Sequence, residues 1–345
     1  MSYTNGLDKP SDYFATKLYA GNDSGQSITM DFAPNWVWIK DRGGADPHGA
    51  YDSVRGALKQ LRVNLTNEER TLAGSLTAFN SDGFTVGNDD GTNDNAHNFV
   101  SWNWRAGTSF SNDASSTSVG SIDSSGSVNT DAGFSIITYV GTGSAETIAH
   151  GLGATPGFII TRRIDGADSW MTYNKSFSAA QYMYINGDGA IYSASSVFGT
   201  LPTSTVYSTG GGTATGASGG NFISYCFAEK QGYSKFGSYK ATEDIDGTSI
   251  YTGFSPAWVM IKQSNLARDW YIYDSERNTS NPVTQEINAN NNGTEDTVVS
   301  IDFLANGFQI KTTGASLNDA GGTYIYWAFA KQPLVTSTGV PATAR

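Results

Sequence analysis

Two stretches of the chain place an acid and a base three residues apart. Tyr51-Asp52-Ser53-Val54-Arg55 and Tyr273-Asp274-Ser275-Glu276-Arg277 share their order and spacing. A carboxylate and a guanidinium so placed form a forked, charge-assisted pair that can grip a ligand or tie a turn. The matching stretch between them reads Tyr173-Asn174-Lys175-Ser176. An active site is seldom kept in several copies of a repeat, so Asp52, Arg55, Asp274 and Arg277 are expected to be a structural motif.

Other chemistry is weaker. Asn88-Asp89-Asp90-Gly91-Thr92-Asn93-Asp94-Asn95 is rich in oxygen ligands, and Asp89, Asp90 and Asp94 are the candidates for Ca²⁺. The loop lacks the alternating order and closing glutamate of a calcium loop, so a surface turn is the preferred reading and no other cofactor is expected. Glycan hydrolysis needs two carboxylates at a set separation. Glu146, Glu243, Asp244, Asp246, Glu295 and Asp296 show no arrangement beyond loop polarity. His48, His97 and His150 sit in three separate contexts without metal or triad spacing. Cys226, the single cysteine, lies in the strand-like run Phe222 to Phe227 and reads as an inert core residue. Gly210 to Gly220 has no lysine and no helix behind it, so it is a loop tip and not a phosphate loop. No enzyme is expected. Aromatic side chains stack on sugar rings and anchor interfaces, which makes Trp170, Tyr182, Tyr184, Trp270 and Tyr271 the candidates for glycan or receptor contact.

The elements that would position these residues recur. Each of three segments opens with an aromatic run: Phe14 to Gly21, Phe134 to Gly141 and Phe236 to Tyr239. A Pro-led apolar run follows at Pro34, Pro156 and Pro256, and an aromatic strand closes each segment (Phe99 to Trp104, Phe222 to Phe227, Tyr324 to Phe329). Such self-similarity predicts three tandem units of about 100 residues. The boundaries are 1–106, 133–232 and 233–333, with a Ser/Gly/Thr-rich segment at 107–132 and a tail at 334–345. The 107–132 segment is either a flexible linker or an extended arm.

Alternation gives the faces. Val100, Trp102 and Trp104 point one way, matched by Ile223, Tyr225, Phe227 and by Ile325, Trp327, Phe329. The Pro-led strand is apolar on both faces, Trp36 and Trp38 against Val37 and Ile39, so it is covered on both. A second layer, the next unit or another protomer is expected there. Asp82-Gly83-Phe84 and Asn306-Gly307-Phe308 read as turns entering strands. Residues 53–62 read as one short helix with Leu58 and Leu61 inward. The fold class is all-β: three β-sandwich units, jelly-roll or lectin-like.

Composition limits the partners. The 345 residues carry a net charge of −11 and no Lys/Arg cluster, which excludes a phosphate-binding nucleic-acid surface. Eighteen Tyr, 17 Phe and 8 Trp exclude a disordered chain. No run approaches the ~20 apolar residues of a spanning helix, and Met1 to Gly6 has no leader pattern. A product of the cytoplasm without membrane insertion is expected.

Several long motifs carry a resemblance. They include Gly6-Leu7-Asp8-Lys9-Pro10-Ser11-Asp12-Tyr13-Phe14, Pro34-Asn35-Trp36-Val37-Trp38-Ile39-Lys40-Asp41-Arg42, Phe79-Asn80-Ser81-Asp82-Gly83-Phe84-Thr85-Val86-Gly87 and Val100-Ser101-Trp102-Asn103-Trp104-Arg105-Ala106. With these, nearly the whole chain resembles virion-associated, tail-fibre-like or structural proteins of marine tailed phages. The resemblance implies a virion part assembled in the host cytoplasm, and it carries over no catalytic residues. A tail fibre or host-attachment component is the leading expectation. A capsid decoration protein is the alternative and a surface-glycan depolymerase the third reading. Expected partners are other virion proteins, further copies of the chain through the Trp-bearing strands and the 107–132 arm, and a host surface glycan or protein.

Overall fold

The computed structural model describes residues 7–336 and 338–341. Met1 to Gly6 and the last residues of the 334–345 tail lie outside the described residues. The chain is all-β, and its helices are single turns.

Three large antiparallel sheets share one strand order. An opening strand (Phe14–Ala20, Phe134–Val140, Ser234–Lys240) pairs with a closing strand (Asn98–Trp104, Asn221–Ala228, Thr323–Pro333). The closing strand pairs with the Pro-led strand (Trp36–Asp41, Pro156–Arg163, Phe254–Gln263). A fourth strand (Gly49–Asp52, Met171–Asn174, Trp270–Asp274) and a rim strand (Lys59–Arg62, Gln181–Tyr184, Val283–Asn288) follow in each sheet, with at least one further strand paired beyond the rim. Proline has no N–H to give the ladder, and the register shifts at Pro156 and at Pro256.

Each large sheet carries a smaller layer on its outer face. In the first, Gln26–Thr29, Gly83–Val86 and Leu76–Asn80 form the second layer. Ile28, Phe84 and Val86 bury there against Val37, Ile39 and Phe99. Gly83 sits at φ +149°, and a Cβ on it would lie 1.9 Å from the Ile28 carbonyl oxygen, so only glycine lets these strands approach. Gly307 meets the Ile250 carbonyl oxygen at the same distance.

The inner faces meet in a common core. Trp36, Trp38, Trp102 and Trp104 pack with Phe158, Ile160, Tyr225 and Phe227 and with Trp258, Met260, Trp327 and Phe329. Ring centroids are 4.4 Å apart for Trp36 and Tyr225, 4.7 Å for Phe158 and Trp327, and 4.8 Å for Trp258 and Trp327. These aromatic pairs add about 0.5–1.5 kcal/mol each beyond burial alone. All four first-sheet tryptophans are fully buried. The contact between protomers expected at the Trp-bearing strands is therefore made inside one chain, because the other two sheets already cover those faces.

Two rings of hydrogen bonds close the arrangement. Glu69 N–H donates to the Ile164 carbonyl, Ile191 to Ser264 and Glu295 to Arg42, each at 2.9 Å. In the opposite sense, the residue leading each fourth strand reaches the last residue of a neighbouring rim strand. Trp170 Nε1 donates to the Arg62 carbonyl and Trp270 Nε1 to the Tyr184 carbonyl, both at 2.9 Å. His48 Nε2 lies 3.0 Å from the Asn288 carbonyl. Trp38 Nε1 donates to His48 Nδ1, so Nε2 carries the proton of a neutral ring. Burial, and then the nearby Lys40 charge, hold the His48 pKa well below the usual range.

Segment 107–132 is built into the second sheet. Thr108–Asn112 pairs with Ser124–Asn129, which pairs with the opening strand Phe134–Val140. Residues 53–62 are not a helix: Lys59–Arg62 is the rim strand, and Leu58 turns the chain at φ +69°. The Asp52 carboxylate accepts the Val54 and Arg55 N–H groups as a helix cap would, but Gly56 at φ +95° ends the turn before a helix can continue.

Candidate functional site

The Asp–Arg motif lies between sheets. Asp52 Oδ2 takes the Arg55 Nε–H at 2.5 Å and the Tyr225 hydroxyl of the second sheet at 2.8 Å. Arg55 also reaches Glu69. Asp274 repeats the pattern with Arg277 Nε at 2.5 Å and with Trp102 Nε1 of the first sheet at 3.1 Å. Arg277 then reaches Glu295, which holds Arg42 in a fork. Both carboxylates are fully buried. The corresponding positions in the second sheet are Asn174, Phe177 and, facing them from the third sheet, Trp327. There Asn174 Nδ2 and Trp327 Nε1 are both buried donors without a partner among the described residues.

The candidate contact aromatics are mostly spent on packing. Trp170 and Trp270 are fully buried and bridge sheets, and Tyr271 is 7% exposed. Their side chains do not reach the surface because their ring N–H groups, or their faces, are needed inside. Tyr182 is also buried, whereas Tyr184 is half-buried. These two join a residue the sequence reading did not single out, Tyr192, which is 41% exposed. Tyr182 and Tyr192 centroids are 5.7 Å apart, and Tyr184 and Tyr192 centroids 4.9 Å.

Strand register shows what this tyrosine cluster replaces. Tyr182 pairs with Tyr192 just as Gln60 pairs with Arg70 and Glu286 with Asp296. Tyr184 occupies the position of Arg62 and Asn288. Three equivalent rim positions thus carry Gln, Arg, Arg in the first sheet, three tyrosines in the second, and Glu, Asn, Asp in the third. Aligning the three rim strands in the sequence would have exposed this divergence.

At the first rim lies a recess of about 410 Å³, walled by Asp46, Gln60, Arg62, Arg70 and the loop Asn88 to Gly91. Gln60 is 3% exposed, its amide donating to the Tyr51 hydroxyl and its carbonyl oxygen accepting from Arg70 Nε at 2.6 Å. Asp89 Oδ1 is buried and unpartnered among the described residues. Burial raises the Asp46 and Asp89 pKa values. Burial, then the neighbouring Arg70, lowers that of Arg62.

Asp89 and Asp90, two of the three calcium candidates, wall this recess. Asp94 instead accepts the Ala96 N–H and lies 3.7 Å from His97. Among the described residues no group of three or more His, Cys, Asp or Glu is arranged to hold a metal ion. His97 donates to the buried Asp41 at 2.6 Å, and that bond raises its pKa. Cys226 is buried, which pushes its thiol well above the usual range. His150 is buried as well.

A larger cleft of about 900 Å³ runs between the 108–129 hairpin and the first two sheets. Arg55 and Glu69 line it, but both are held in the Asp52 cluster. Glu146 is satisfied by Ser121 and Thr142, and Asp246 by Lys311. Glu295 is committed to two arginines, Asp244 Oδ1 accepts the Asp246 N–H and Asp296 Oδ1 the Thr297 N–H, and Glu243 stands at φ +60°.

No curated protein and no solved structure matches the chain. A family model matches residues 9–333, and the chain belongs to that family, described as a domain of unknown function (DUF7483).

Proposed function

We propose that the chain is a non-catalytic structural component of a phage virion that serves in host attachment, as a tail fibre or an associated part. The observation that carries this reading is the use made of the charged motif. Asp52, Arg55, Asp274, Arg277 and Glu295 are spent on joining the sheets. Chemistry needs a charged group free to meet a substrate, whereas a load-carrying block needs its buried charges satisfied. The two rings of hydrogen bonds add a closed frame from which the divergent rim residues are displayed. The resemblance of the long motifs to virion-associated proteins of marine tailed phages suggests the setting.

Capsid decoration is the second reading. The cyclic arrangement of three sheets favours it, since such a block suits a place where three capsid subunits meet. Electron cryo-microscopy of the virion separates the two. Density for the chain at the tail supports attachment, and density confined to the capsid overturns it. Release of reducing ends from host surface polysaccharide by the purified protein would overturn the non-catalytic part.

A further inference from the structure

We propose that the recess between Arg62, Arg70 and the Asn88 to Gly91 loop is a binding subsite for an uncharged, hydroxyl-rich saccharide. The proposal deepens the attachment reading, on which it rests, by naming the chemistry of what is held.

The fold does not require the residues that wall the recess. At the same register the second sheet has Tyr184 and Tyr192, and the third has Asn288 and Asp296. All three sheets form with the same strand order, so the two arginines answer a local need that the other rims do not share. Nor do they serve as ion-pair partners. Arg62 and Arg70 make no salt bridge among the described residues, although Asp46, Asp89 and Asp90 line the same recess.

The recess presents complementary donors and acceptors. Each guanidinium offers a planar fork of N–H donors. Asp89 Oδ1 is buried with no close hydrogen-bond partner among the described residues, the Gly91 N–H being the one backbone group that acts on its carboxylate, so it keeps capacity to accept from a ligand or water. A Cβ built on Gly91 would lie 3.3 Å from Asp89 Oδ1 and 4.0 Å from Asp46 Oδ1, so two carboxylate oxygens converge over a residue without a side chain. Gln60 is fixed from both ends of its amide, and a fixed group loses little entropy on binding.

These features select the ligand class. Adjacent hydroxyls of a sugar donate to carboxylates and accept from guanidinium forks at once. Two arginines against three aspartates leave the recess one charge negative, which disfavours a bare anion such as phosphate. The volume of about 410 Å³ lies within the range of small-molecule sites.

The test applies the intact protein to an array of neutral, amino and uronic-acid oligosaccharides from bacterial surfaces. Retention on neutral oligosaccharides is expected, weakened at least tenfold in R62Q/R70Q and in D89N. D89N keeps the arginine contacts, so a folding defect in the arginine variant leaves the question decidable. Retention on no glycan, retention equal in both variants, or loss only in Tyr192→Ala would each overturn the proposal. Adsorption competition with the whole virion is measured in parallel. Competition that survives R62Q/R70Q would sink the subsite and leave attachment standing, whereas array binding without competition would do the reverse.

Discussion

The indole N–H of Trp270 lies 2.9 Å from the carbonyl oxygen of Tyr184, and through this bond the third sheet grips the rim of the second. Trp170 makes the same bond to Arg62 and His48 the corresponding one to Asn288. Each sheet therefore holds one neighbour and is held by the other. Breaking any one link opens a ring.

Replacing Trp270 with Phe removes the donor and leaves a buried carbonyl without its partner. Together with the lost ring volume, this is expected to lower stability by about 2–4 kcal/mol. Trp170→Phe is expected to cost a similar amount. Urea unfolding of both variants checks this, and a loss under 1 kcal/mol in either would show that the ring bonds carry little.

Asp274→Asn removes the nearer of the two carboxylates that answer the buried Arg277 and leaves only Glu295, and a loss of about 3 kcal/mol is expected. The second sheet already shows an uncharged version of this position, with Asn174 and Phe177. The double variant D274N/R277F copies it and is expected to recover more than half of the loss. A double-mutant cycle in denaturant reads the coupling. A double variant as unstable as the sum of the two single ones would refute the idea that the charges matter only as a pair.

Lys40 and Lys262 occupy the same position on the first and third Pro-led strands, buried and bonded to backbone carbonyls. Burial lowers both pKa values to about 8. Near pH 7 both lysines are charged in the folded and unfolded states, so the burial penalty is fully present. Above pH 8 the folded state releases these protons while the unfolded chain keeps its own until about pH 10.4. The unfolded state then binds more protons, so stability rises with pH. A gain of roughly 1–3 kcal/mol between pH 8 and 9.5 is expected, flattened in K40M/K262M. Unfolding curves with no upward slope in this window would refute it.

The sequence made some of this legible and hid the rest. Trp36, Trp38, Trp102 and Trp104 share a face by simple alternation, and they do form the inner core. The Asp–Arg motif announced itself by its spacing, and its carboxylates cap the very turns it implied. What covers the tryptophans was open, because alternation says that a face is buried and not by which neighbour. The sheet-to-sheet links at His48, Trp170 and Trp270 were hidden since one position holds two residue types. The recess at Arg62 joins a rim strand to a loop 26 residues further on, and no local pattern connects them. The expected helix at 53–62 failed because Gly56 at φ +95° and Leu58 at φ +69° take the chain out of helical backbone after a single turn.

Trp102 and Trp327 sit at the same place on two closing strands and face different partners. Trp102 donates to the Asp274 carboxylate at 3.1 Å and lies 5.7 Å over the Arg277 guanidinium. Among the described residues Trp327 Nε1 has no acceptor, and the corresponding Asn174 leaves its own Nδ2 unpaired. Phe in place of either residue removes the same volume. At 102 it also deprives a buried carboxylate of a donor, at a cost of about 1.5–3 kcal/mol for a bond to a charged group. At 327 it removes a donor that was already unsatisfied, so only the packing is lost. Trp102→Phe is therefore expected to be the more destabilising variant by at least 1 kcal/mol. Equal losses on chemical unfolding, or a larger one at 327, would show that the contact between the second and third sheets is better satisfied than its two unpaired donors imply.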